Sequence, residues 1–136
     1  MKARRAPCGS EIANGRLEKA EQFYSAAQDI RDLAIEEADI ADAYVTLCVH
    51  AGIAAADAIC CTELREHAKG ESHHEAVVLI KSVRPDGTTL ANSLTTLLRF
   101  KSRAGYSAMP VNADMLRRSK AAAERLLTAA RDRVAR

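Results

Sequence analysis

Aromatic residues and helix breakers are both scarce in this chain. Its 136 residues include no tryptophan, two phenylalanines, three tyrosines, six glycines and three prolines. Because strands favour aromatic and β-branched side chains, this composition argues against a β-sandwich or a β-barrel. Alanine, the strongest helix former, instead supplies 27 residues. The composition therefore predicts an all-α protein.

The motifs of several enzyme classes are also missing. There is no Gly-x-Ser-x-Gly nucleophile motif and no glycine-rich phosphate-binding loop. No Cys-x-x-Cys pair occurs, and the adjacent Cys60 and Cys61 diverge by about 100° on a helix, as do His73 and His74. We therefore expect no metal site and no cofactor.

An apolar signal peptide is not evident either, because Pro7 and Gly9 closely follow the basic start of the chain. Cys60 and Cys61 cannot easily bridge each other on one helix. These features predict four reduced, buried cysteines in a cytoplasmic protein. The long apolar run Ala43–Cys61 contains Asp57, which costs about 2.5–3.5 kcal/mol at a bilayer centre. We expect this run to be a buried central helix and not a membrane span.

Hydrophobic periodicity predicts one up-and-down-like bundle of about five helices over residues 10–136, preceded by a disordered basic tail at residues 1–9. The second helix is long and apolar nearly all round, so it should lie at the centre. Ser10, Asp39 and Asn112 are predicted N-caps, and Gly70 a C-cap. Ser72 and Glu75 read as a capping box. The predicted helices are Glu11–Glu36, Asp39–Lys69, His73–Val83, Thr88 or Thr89 to Ser102, and Ala113–Val134.

Charge is distributed unevenly along the chain. Glu11–Glu75 carries 14 acidic and 5 basic residues, a net charge of −9, and Leu97–Arg136 carries 10 basic and 3 acidic residues, a net charge of +7. Such asymmetry is compatible with an anion-binding face or with opposite faces of a self-associating bundle.

Two segments resemble a known family. The first is Val49–Ile59 (VHAGIAAADAI), followed by Ser72–Val77 (SHHEAV). The second is Leu97–Tyr106 (LLRFKSRAGY), followed by a loop and a last helix that contains Ala122–Leu126. This order resembles HEPN domains. The resemblance implies a bundle of four to five helices, usually a homodimer, of the kind found in toxin–antitoxin and phage-defence systems directed at RNA.

The nuclease motif of that family is incomplete here. Active members carry an arginine, four to six residues and then a histidine before the last helix, and His and Arg of two subunits cleave RNA together. No histidine of this chain follows an arginine at that spacing, and Arg99 is followed by Tyr106. Histidine is the side chain that titrates near neutral pH, whereas tyrosine, with a reference pKa of about 10, is a poor base. We expect no ribonuclease activity. The four histidines are His50, His67, His73 and His74.

Arg99, Lys101 and Arg103, with Tyr106, are the candidate contact site for a nucleic acid or nucleotide. Three cations beside an aromatic ring can hold phosphate and stack a base. The alternative interpretation is structural: cations at a helix C-terminus complement the macrodipole, and Tyr106 covers the end of the bundle.

Thr46, His50 and Asp57 form a second candidate set, a buried polar stripe on the central helix. They could line a small-ligand cavity, form a polar patch at a dimer interface, or bond to neighbouring helices. His50 and Asp57 are seven residues apart, about 10 Å along the axis, so they cannot form a catalytic pair.

The sequence therefore predicts a non-catalytic HEPN-like binding module that binds RNA, a nucleotide or a partner protein. We also expect a homodimer that associates through the alanine-rich central and terminal helices. One alternative is a divergent, metal-independent ribonuclease that uses Arg99 and Tyr106. The other is a purely structural or protein-interaction helical dimer.

Overall fold

Five α-helices form a bundle in the computed structural model, which describes residues 4–70 and 72–136. A short 3-10 turn, Glu37–Asp39, connects the first two helices, and a two-stranded sheet lies beside the third. The predicted all-α bundle is confirmed. The helices are α1 Ser10–Leu33, α2 Ala41–Leu64, α3 His73–Lys81, α4 Gly87–Gly105 and α5 Ala113–Val134, and the strands are β1 Arg5–Pro7 and β2 Glu66–Ala68.

Helix α2 lies at the centre, as its nearly continuous apolar surface predicts. It packs against α1, α4 and α5, and 14 of its 24 residues are buried. Among the described residues, α2 is the one helix long and apolar enough to cross a membrane, but 67% of its most apolar window is buried in the bundle. A core helix has this character.

Gly52 is a point of close contact between α2 and its neighbours α4 and α5. A Cβ atom at Gly52 would collide with Leu97 of α4 and lie 3.3 Å from Leu126 of α5. The absence of a side chain therefore lets three helices meet at one level of the core. Close packing therefore accounts for a glycine inside this helix.

Helix α5 has the predicted bounds, Ala113–Val134. The side-chain oxygen of Asn112 accepts a hydrogen bond from the Met115 amide at 2.8 Å, so the predicted N-cap is also confirmed. Helix α1 ends at Leu33, three residues earlier than predicted, and α4 ends at Gly105, three residues later.

The predicted end of the second helix is wrong. Helix α2 ends at Leu64, because Arg65 adopts a left-handed conformation (φ 62°) and Glu66–Ala68 then form β2. Gly70 lies in the following loop and does not cap the helix. The capping box is also wrong: Ser72 makes no capping hydrogen bond, and Glu75 instead accepts a hydrogen bond from Arg5.

Residues 5–8, which precede α1, form a strand and a disulfide, whereas the sequence predicts a disordered tail there. Strand β1 pairs antiparallel with β2, with Ala6 opposite His67, and Cys8 forms a disulfide with Cys61 at the end of α2. We refer to Arg5–Cys8 as the N-terminal strap. Residues 1–3 of the predicted tail lie outside the described residues. The prediction of four reduced cysteines is wrong for this pair, whereas Cys48 and Cys60 are free and buried.

Candidate functional site

Two sets of residues that the sequence analysis proposed separately meet between α2 and α4. Thr46 and His50 come from the polar stripe, and Lys101 and Tyr106 come from the basic segment. Together with Val49 and Gly105 they line a pocket of about 140 Å³, which we call the α2–α4 pocket.

Helical spacing explains how the α2 side of this pocket forms. Thr46, Val49 and His50 lie at i, i+3 and i+4, so their side chains share one face of α2. The last residue of α4, Gly105, packs against that face: a Cβ atom there would lie 3.9 Å from the Thr46 hydroxyl oxygen. The end of α4 therefore approaches α2 closely enough to bring Lys101 and Tyr106 to the same opening.

Aromatic rings and one cation surround the opening. The Lys101 ammonium lies 5.2 Å from the centroid of the Tyr106 ring, within the range of a cation–π contact. The His50 ring lies 5.6 Å from the Phe23 ring of α1, centroid to centroid. Tyr106 is 79% exposed, so most of its ring faces solvent. The pocket can attract an anion through Lys101 and offer an aromatic face to a flat ring.

Arg99 and Arg103 do not line this pocket, so the four-residue contact site predicted from the sequence is divided. Residues two apart on a helix point about 200° from each other, whereas residues four apart share a face. Arg99 and Arg103 therefore lie on one side of α4 and Lys101 on the other. Arg103 donates a hydrogen bond to the Pro110 carbonyl at 3.1 Å. This contact joins the end of α4 to the loop that precedes α5.

The predicted buried stripe on α2 is likewise not one unit. His50 is exposed, and Asp57 lies two turns away, paired with Arg16 of α1 at 3.0 Å. Burial raises the pKa of the Asp57 carboxyl, and this effect outweighs the opposing influence of Arg16 and of His67 and His73. Asp57 belongs to a polar contact between helices, as one of the sequence alternatives proposed, and not to the pocket.

A second concave surface, between α4 and α5, was missed in the sequence analysis. This α4–α5 groove has a volume of about 410 Å³ and contains two arginines. Its signal in the sequence was a row of uncharged polar residues at i, i+3, i+4 and i+7 of the amphipathic helix α4, together with two arginines seven positions apart on α5. Its lining residues are Thr89, Asn92, Ser93, Thr96, Arg118, Ala121, Ala122 and Arg125.

No family model matches this chain, and no curated protein matches it either. The HEPN resemblance therefore stays a prediction that rests on the quoted segments. The α2–α4 pocket and the α4–α5 groove are therefore the features that bear on function.

Proposed function

We propose that this chain is a non-catalytic, HEPN-like binding module that contacts RNA or a nucleotide through the α2–α4 pocket. One observation carries the proposal. Lys101 and Tyr106, which the sequence suggests for phosphate and base contacts, share one opening with His50 and Thr46. A toxin–antitoxin or phage-defence system is the setting that the family resemblance suggests for such a module.

The size and chemistry of the pocket fit one group of a nucleotide. Pockets that enclose a whole drug-sized ligand measure about 300–1,000 Å³, and this one measures about 140 Å³. The exposed Tyr106 ring offers a stacking surface, and stacking of a base on an aromatic side chain contributes about 1–3 kcal/mol. Lys101 adds a positive charge beside that ring. We infer that one base stacks on Tyr106 while a neighbouring phosphate contacts Lys101.

The proposed lack of catalysis rests on the incomplete nuclease motif, because no histidine of this chain follows an arginine at the spacing of active family members. RNA cleavage in the family depends on a histidine acting together with an arginine. His50 does lie at the α2–α4 pocket, but neither Arg99 nor Arg103 is among the residues that line it. Within one protomer, Arg99 and Tyr106 therefore do not line the same pocket, which favours a binding role over the ribonuclease alternative that joins them.

Fluorescence anisotropy with a labelled ten-nucleotide oligouridylate tests the proposal. Replacing Tyr106 by Ala removes the stacking ring, and we expect a roughly tenfold higher Kd. Lys101→Gln should reduce the slope of log Kd against log salt by about 0.7, the contribution of one phosphate contact on a single strand. Met109→Ala is the matched control, because Met109 is a 59% exposed side chain of the neighbouring loop that does not line the pocket.

Three results would contradict the proposal in different ways. Equal weakening by Met109→Ala would show that the pocket has no special role. Unchanged binding in the Tyr106 and Lys101 variants would place the contact elsewhere. Cleavage of the RNA that His50→Ala abolishes would replace a binding module by a ribonuclease. Competition with uridine monophosphate distinguishes a nucleotide site from an RNA site. The mononucleotide should displace the labelled oligouridylate from a nucleotide site and should not displace it from an RNA site.

A protein-interaction role is the second candidate, favoured by apolar side chains at one end of the bundle. Leu33 is 83% exposed and Ile35 is 97% exposed, between the end of α1 and the 3-10 turn. The acidic Glu36 and Glu37 adjoin them, and the last turn of α4 is basic. A surface that combines apolar, acidic and basic groups can pair with a second copy of itself.

Six of the seven α2 alanines are buried inside the monomer and only Ala43 is exposed, so α2 offers little alanine surface for the dimer contact expected from the sequence. Sedimentation velocity at tens of micromolar tests the alternative surface. A dimer that Leu33→Ser and Ile35→Ser convert to a monomer supports this contact. A wild-type monomer at that concentration excludes it.

A further inference from the structure

The α4–α5 groove has two walls of complementary chemistry. On α4, polar side chains follow one another at the spacing of a single helix face, from Thr89 to Thr96. On α5, Arg118 and Arg125 line the groove on either side of Ala121 and Ala122. No residue of the groove belongs to the α2–α4 pocket, so the two sites can be tested separately.

Both guanidinium groups are held in place from one side. Arg125 donates from Nη1 to the Ser93 hydroxyl oxygen at 3.0 Å, and Ser93 itself is 3% exposed. Arg118 lies over the ring of Phe100, 5.5 Å from its centroid. An arginine has five N–H donors, and these contacts leave most of them available to a ligand. Both side chains are thus positioned, exposed and still able to donate.

Acidic groups do not neutralise this groove. Among the described residues that line it, none is acidic. The carboxylate of Asp114 lies 3.8 Å from Arg118, but both side chains are more than half exposed, and such pairs contribute little. Glu124, the neighbour of Arg125 in sequence, faces away and accepts hydrogen bonds from Lys120, at 2.7 Å, and from Tyr24. The groove therefore keeps the positive charge of both arginines.

The spacing of the arginines indicates more than one anionic group. Seven residues separate Arg118 from Arg125, which is about 10 Å along the helix axis. On the opposite wall the Thr89 hydroxyl adds a neutral donor. The Thr96 hydroxyl already donates to the Asn92 carbonyl, and the buried Ser93 hydroxyl accepts from Arg125. Guanidinium groups are well suited to phosphate oxygens.

We propose that the α4–α5 groove binds the phosphate groups of a phosphate chain, one near each arginine. Such a chain is supplied by the backbone of a single-stranded RNA or by a free polyphosphate. The proposal does not depend on the α2–α4 pocket, because the two sites share no residue.

The test compares charge-removing variants of one helix. Labelled ten-nucleotide oligouridylate is titrated at several salt concentrations against wild type, Arg118→Gln, Arg125→Gln and the double variant. The double variant should lose about 1.4 from the salt slope, since each phosphate contact on a single strand contributes about 0.7. Arg117→Gln is the matched control: it removes the same charge one position away, at a 66% exposed side chain outside the groove.

The control decides whether the groove or the overall charge binds the probe. An Arg117→Gln effect as large as that of Arg118→Gln would overturn the proposal, as would unchanged binding in the double variant. Loss of a dimer in the double variant with RNA binding intact would also overturn it, because the groove would then be a subunit contact. If Arg125→Gln lowers the melting temperature, Arg118→Gln and Ser93→Ala provide the test instead. Ser93→Ala keeps the charge of Arg125 and removes only the hydrogen bond that holds its guanidinium group.

Inorganic tripolyphosphate distinguishes the two sources. Displacement of the RNA by tripolyphosphate, lost in the double variant, identifies a site for any phosphate chain. Groove-dependent RNA binding that tripolyphosphate does not displace identifies the RNA backbone as the ligand. Tyr106→Ala should leave tripolyphosphate binding unchanged, so a failure of the α2–α4 pocket proposal does not imply a failure of this one.

Discussion

The disulfide between Cys8 and Cys61 allows a quantitative prediction about stability. It joins the N-terminal strap to the end of α2 across a sequence separation of 53 residues. In the chain-entropy treatment, closing a loop of this length stabilises the folded state by about 4 kcal/mol, because it restricts the unfolded chain. We expect Cys8→Ala combined with Cys61→Ala to lower the free energy of unfolding by up to that amount. The melting temperature should fall by on the order of 10 °C.

Urea unfolding with and without dithiothreitol measures this effect and contains its own control. The wild-type protein should lose stability on reduction, whereas the double alanine variant should be insensitive to the reductant. Both disulfide cysteines are buried, at 8% and 1% exposure, so the alanine variant also loses the packing of two sulfur atoms and should be somewhat less stable than the reduced wild type. Two differences in the free energy of unfolding are compared: oxidised against reduced wild type, and reduced wild type against the double variant. If the second difference is the larger, the entropic explanation is refuted.

Thiol titration tests the bond itself. Burial raises the pKa of the free Cys48 and Cys60 thiols to about 12, so neither should react in the folded protein. After denaturation without reductant we expect two reactive thiols, and with reductant all four cysteines should react. Four reactive thiols in the denatured, unreduced protein would show that Cys8 and Cys61 are not bonded. In that case reduction should not change the stability of the protein.

Two further predictions concern packing and charge. Gly52→Ala should lower the free energy of unfolding by about 1–3 kcal/mol, because the added methyl group meets Leu97. Gly15→Ala, in open space on α1, should instead raise the free energy of unfolding by about 1 kcal/mol. Urea unfolding of both variants measures these changes. Since burial raises the pKa of Asp57 in the folded state, ionisation of this group opposes folding. The stability of Asp57→Asn relative to wild type should therefore increase as the pH rises through the range in which Asp57 ionises, and a constant difference from pH 3 to pH 7 would contradict this explanation.

Local signals were sufficient to predict much of the bundle. The bounds of α5 follow from the Asn112 cap and the helical periodicity, and the apolar surface of α2 correctly indicates the central position. The N-terminal strap could not be predicted in this way. Strand β1 and Cys8 pair with residues more than fifty positions away, so no local pattern marks them. Arg65 in a left-handed conformation likewise depends on the strand that follows it.

The candidate site was predicted only in part, for a geometric reason. Arg99, Lys101 and Arg103 were grouped by closeness in sequence, although residues at i and i+2 diverge on a helix. The association of His50 with Lys101 depends on how α4 is placed against α2, which periodicity does not specify. The α4–α5 groove needed the same information, because its two walls are recognisable only when α4 and α5 are seen side by side.

Backbone amide shifts during a titration with unlabelled ten-nucleotide oligouridylate test the central claim most directly. A binding module that uses the α2–α4 pocket should show its largest saturable shifts at Thr46–His50 and at Lys101–Tyr106. In Tyr106→Ala those shifts should need about tenfold more oligonucleotide to reach half-saturation, while the amides near Met109 retain their wild-type behaviour. Tight binding that leaves both segments unshifted would contradict the account.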